Sequence, residues 1–147
     1  MTTLNTLRAF AVLALFGSQL GLAGCGSDNN AEPAIPFVAF NEQLNLTNQE
    51  YSALRFNNGV AYHAGGVRGL VIVRQNASSY LAFDRNCSYK PYDACARVHI
   101  DASRLFLADS CCGSVFNLQG QVQGGPANRP LRQYTTSLSG NILTIIN

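Results

Sequence analysis

The chain has 147 residues, 47% of them hydrophobic and only 12% charged, with a formal net charge of +2. That length suits one domain with a sizeable core. The near-neutral balance, with no basic cluster and no interleaving of basic and aromatic residues, excludes nucleic acid as a partner.

The N-terminus carries one positive residue, Arg8, and then an apolar run that reaches Leu22 with only Gly17-Ser18-Gln19 interrupting it. A charged start, an apolar stretch and small residues at its end have the shape of a secretory signal. The run is too short and too broken to span a membrane. Its closing Leu22-Ala23-Gly24-Cys25 resembles the lipobox of bacterial lipoproteins, which implies cleavage before Cys25 and acyl chains on that cysteine. Each buried methylene contributes about 0.8 kcal/mol, so several chains anchor stably. The expected organisation is a signal peptide over residues 1–24, a lipidated tether over 25–36 and a single domain over 37–147, on a membrane of the bacterial cell envelope. Gly26 to Pro36 is rich in Ser, Asp, Asn and Pro and buries too little apolar surface to order itself.

From Val38 to Leu46 the apolar residues Val38, Phe40, Leu44 and Leu46 alternate with Asn41, Gln43 and Asn45, the period of a half-buried strand. Thr47 and Glu50 have capping-box spacing, which predicts one or two helical turns ending at Asn57-Asn58-Gly59. Val67–Arg74 and Tyr80–Asp84 are β-rich runs on either side of a polar turn, and Val98–Ile100 meets Leu105–Leu107 across Asp101-Ala102-Ser103. Leu131–Leu138 and Ile142–Ile146 flank Ser139-Gly140-Asn141. His63 falls in a loop before the first strand pair, and His99 alternates with Val98 and Ile100 in a strand. Short strands at close spacing predict an all-β antiparallel sandwich or small barrel.

Beyond Cys25, four cysteines remain, Cys87, Cys95, Cys111 and Cys112, all in one stretch of loops and strands. Cys112-Gly113-Ser114-Val115-Phe116, then Gly125-Pro126-Ala127 and Pro130-Leu131-Arg132-Gln133-Tyr134, resembles the second half of a Rieske iron-sulfur domain. The resemblance covers residues 67 to 147, most closely from Gly113 to Tyr134. It implies a Rieske-like β fold in which two facing loops hold a [2Fe-2S] cluster through two cysteines and two histidines.

Carried over position by position, the ligand set breaks down. Cys87 matches the first cysteine ligand, Tyr89 stands where its histidine partner belongs, Asp109 takes the second cysteine position and Cys112 the second histidine position. The resemblance also implies a disulfide between Cys95 and Cys111. It gives Ser114 and Pro126 loop-stabilising roles. Cys87 and Cys112 then face each other across the vacated site, where a second bridge is expected. A mononuclear zinc or copper site built from Cys87, Cys112 and Asp109 or Asp93 is a weaker reading. Arg8 stands alone, without the Arg-Arg pair of the export route that carries folded proteins, and an unfolded, oxidising route favours disulfides.

The sequence therefore leads to a membrane-anchored lipoprotein with a degenerate Rieske-like domain, no cofactor and no enzyme activity, acting as a binding or accessory module for an unknown protein or redox partner. Its two competitors are a [2Fe-2S] electron-transfer protein with atypical ligands and a thiol-redox protein cycling Cys87 and Cys112.

Overall fold

Alternation decides the architecture. In strand β3, Leu70–Arg74, four successive residues from Leu70 to Val73 are fully buried, so the strand is covered on both faces. Val71 and Val73 feed one core and Leu70 and Ile72 the other. The structure is a computed structural model that describes residues 34–147. The expected signal peptide, Cys25 and most of the expected tether lie outside those residues.

The strands in chain order are β1 Asn41–Asn45, β2 Val60–His63, β3, β4 Tyr80–Asp84, β5 His99–Ile100, β6 Phe106–Ala108, β7 Val115–Asn117, β8 Val122–Gly124, β9 Gln133–Ser139 and β10 Ile142–Ile146. They form a six-stranded sheet of order β1-β10-β9-β4-β3-β2 and a four-stranded sheet of order β5-β6-β7-β8, antiparallel throughout. The fold is all-β, as expected, with one short 3₁₀ helix, Gln49–Arg55, among the described residues.

The larger sheet curls until its ends share a core. Leu44 of β1 and Leu143 and Ile145 of β10 pack with Leu70, Ile72 and Ala82, and Tyr51 and Leu54 of the 3₁₀ helix close the gap. The other core lies between the two sheets, where Val71, Val73 and Phe83 meet Val98, Leu107 and Phe116. Burying each of these larger side chains is worth about 1.5–3 kcal/mol. Cys87 sits in this second layer, fully buried, so the fold carries it directly into the core.

Several local expectations are corrected. The first strand begins at Asn41, not Val38, because its partner β10 ends at Ile146, opposite Asn41. The helical turns have Asn48 at the N-cap with no side-chain cap bond. Thr47 is engaged on the other side, its backbone N–H and hydroxyl both donating to Asn45 Oδ1 at 3.0 and 2.8 Å, and so makes no capping box. Gly59 ends the segment as predicted: a Cβ there would meet the Ala53 carbonyl oxygen at 1.8 Å. Strand β3 starts at Leu70 because the Val67 and Arg68 N–H groups donate to the Asp84 carboxylate. His63 is in strand β2, not a loop, paired opposite Leu70. Its ring bridges Tyr51 Oη at 2.7 Å and Glu42 Oε2 at 3.1 Å.

Candidate functional site

Three loops converge at one end of the smaller sheet. The first, between β4 and β5, leaves the larger sheet through a closed base: Val98 N–H donates to Arg85 O at 2.7 Å, Asn86 pairs with Arg97, and Cys87 N–H donates to Ala96 O at 3.2 Å. Arg68 braces its outer part. The guanidinium donates to Asn86 Oδ1 at 2.9 Å, Ala94 O at 2.7 Å and Asp93 O at 2.6 Å, holding the loop in place.

The second loop, between β6 and β7, is closed by Asp109 N–H to Ser114 O and Gly113 N–H to Asp109 O, 2.9 and 2.8 Å. Gly113 takes a φ of +77°, which favours glycine. The third loop, between β8 and β9, lies against the second: Ser114 Oγ accepts the Ala127 N–H at 3.1 Å. Gly125 has no room for a side chain there, since a Cβ would fall 2.5 Å from Ser114 Cα. Ser114 thus stabilises the loop contact, while Pro126 is exposed and the bond beside it belongs to Ala127. Ser88 Oγ donates to Arg129 O at 2.6 Å and joins the first loop to the third.

A disulfide links Cys95 to Cys111 with a Cα separation of 5.6 Å, joining the first two loops in the pairing the resemblance implied. The second bridge expected between Cys87 and Cys112 is not formed: the two are unbonded, their sulfurs 3.8 Å apart. The Cys112 thiol donates to Ser114 Oγ at 3.0 Å. Asp109 is 1% exposed and completes the group, with the three ligand atoms of Cys87, Asp109 and Cys112 all within 4.8 Å of one another. Its Oδ1 accepts the Cys111 N–H at 2.7 Å, and its buried Oδ2 has no hydrogen-bond partner. Burial pushes the Cys87 thiol far above the ordinary thiol range, and the Asp109 carboxylate adds to that push.

Of the four positions carried over as ligands, the fold brings Cys87, Asp109 and Cys112 together, while Tyr89 packs half-buried against the core between the sheets. Asp93, His63 and His99 lie outside the group. These donors do not fit a Rieske cluster. That group divides four ligands between two irons, with imidazoles on one of them. Here the three donor atoms fall within the sphere of a single ion, and no imidazole is among them.

Sequence reasoning missed Asp84, Arg68 and Ser88. Asp84, fully buried, accepts from Val67 N–H, Asn86 N–H and Tyr134 Oη at 2.6, 2.7 and 2.7 Å, and so fixes the start of the first loop. The signal available was Tyr134 itself, the last residue of the Pro-Leu-x-x-Tyr stretch, whose hydroxyl needs a buried partner.

No family model and no curated protein matches the chain. Among solved structures it is similar to the plasma membrane Rieske protein PetC3 of the cyanobacterium Synechocystis PCC 6803, at 24% identity over 60% of this chain and 86% of that one, with a TM-score of 0.49.

Proposed function

We propose that this chain is a lipid-anchored protein of the bacterial envelope whose Rieske-like domain has given up the two-iron cluster and works as a binding or accessory module, not as an enzyme. The observation that carries the reading is the set of residues at the four ligand positions: Cys87, Tyr89, Asp109 and Cys112, of which one alone keeps the family's residue. The membrane address rests on Leu22-Ala23-Gly24-Cys25.

Protein purified anaerobically from its own envelope tests the first part. We expect sub-stoichiometric iron and labile sulfide and no visible iron-sulfur bands. One cluster's worth of both would overturn the reading in favour of electron transfer. Labelling with a fatty-acid probe tests the second part: the wild-type chain should take up label and C25A should not, and equal labelling of the two would sink the anchor.

A further inference from the structure

We propose that Cys87, Asp109 and Cys112 form a mononuclear site for a zinc-type divalent cation, with three protein ligands and one open position. The proposal rests on the reading that the loops hold no two-iron cluster, and it goes on to say what they hold instead.

The sulfur spacing is the first observation. In a tetrahedral site with zinc–sulfur bonds of about 2.3 Å, two thiolate sulfurs stand about 3.8 Å apart. Cys87 and Cys112 present their sulfurs 3.8 Å apart, far beyond the roughly 2.05 Å of a disulfide. Asp109 is the second, independent one. Its Oδ2 is buried without a hydrogen-bond partner, and a carboxylate oxygen of Asp109 lies within 4.8 Å of both sulfurs. An orphaned carboxylate oxygen is costly inside a protein, and a cation beside it removes that cost.

The surroundings already hold the ligands in position. The Cys111 N–H fixes the other oxygen of Asp109, and the Asp109 backbone is pinned at both N–H and carbonyl. Binding releases the thiol protons. The Ser114 hydroxyl, which accepts from the Cys112 thiol and from Ala127 N–H, then turns its own proton toward the Cys112 thiolate. Two thiolates exclude magnesium and calcium, which take oxygen ligands. Cys112 is partly exposed, which leaves an ion a path in from solvent.

The test uses the full chain in detergent, with the Cys95–Cys111 bridge intact, titrated with cobalt(II) and then zinc. We expect tetrahedral cobalt bands with a thiolate charge-transfer component, displaced by one equivalent of zinc per chain. Zinc should also protect Cys87 and Cys112 from thiol labelling, and a chelator should restore it. The D109N variant should keep the fold by circular dichroism and lose zinc affinity by about tenfold or more. If D109N does not fold, the partly exposed C112S carries the same test and should abolish the cobalt bands. The proposal is overturned by absence of cobalt bands and zinc retention, by bands unchanged in the variant, or by a Cys87–Cys112 disulfide in the native protein. Stoichiometric iron with sulfide is a different result, one that removes the cluster-free reading itself.

Discussion

Tyr134 donates its hydroxyl to Asp84 Oδ2 at 2.7 Å, and both residues are buried where strand β9 crosses β4. The same carboxylate anchors the Val67 and Asn86 N–H groups, so one buried charge fixes the turn into β3 and the root of the loop that carries Cys87.

Replacing Tyr134 with Phe removes one of these bonds and keeps the ring. Losing a hydrogen bond to a buried charged group is expected to lower stability by about 1.5–3 kcal/mol. Urea denaturation followed by far-ultraviolet circular dichroism measures it, and an unchanged midpoint would refute the role given to the bond.

Alkaline pH should destabilise the fold. Burial, followed by contact with acidic neighbours, pushes the Tyr51 phenol to about 12 and that of Tyr134 higher still. In the unfolded chain both ionise near 10. Above that value the unfolded state therefore holds fewer protons than the native state, and stability falls as pH rises. The denaturation midpoint should decline from about pH 10 upward, and Y134F should flatten that decline.

Cutting the Cys95–Cys111 bridge releases a closed loop with a sequence separation of 16. The cost expected from chain entropy is about 3 kcal/mol. A C95S/C111S double variant should melt correspondingly lower, and adding reductant to the wild type should reproduce the shift.

Gly125 has a φ of +84° and sits against the backbone of Gly113 and Ser114. Substitution by Ala forces a Cβ to 2.6 Å from the Gly113 carbonyl oxygen, a contact that no side-chain rotation relieves. A G125A variant is expected to lose about 1–3 kcal/mol through backbone strain alone. It should also raise the labelling rate of Cys112 as the third loop lifts away from the second, which thiol-reactivity kinetics will read.

Arg68 holds the outer part of the first loop through three backbone carbonyls and Asn86 Oδ1. Lysine keeps the charge but loses the planar fork. R68K should speed amide exchange across residues 88–94 while leaving strands β9 and β10 unchanged, as hydrogen-exchange mass spectrometry will report.

The strand pairs around residues 75–79 and 101–105, the closing hairpin, and the turn at Gly59 were all legible, because each rests on local alternation or on a backbone conformation that few residues adopt. Strand β2 was not read, since Val60–His63 is four residues long and exposes Tyr62 at its open edge, leaving too little pattern to recognise. The Cys95–Cys111 pairing followed from resemblance alone, because four cysteines allow three connectivities and spacing does not choose among them.

By itself, the sequence determined an all-β pattern and a signal-like N-terminus, which follow from residue identity and short-range periodicity, while the four ligand positions came from the resemblance to Rieske domains. The resemblance set Cys87, Asp109 and Cys112 at facing positions, but only the tertiary structure decided that Tyr89 does not join them and that one buried oxygen of Asp109 is left without a partner. Cys87 and Cys112 are 25 positions apart, and their meeting depends on packing two sheets and closing three loops. No local pattern encodes such a contact.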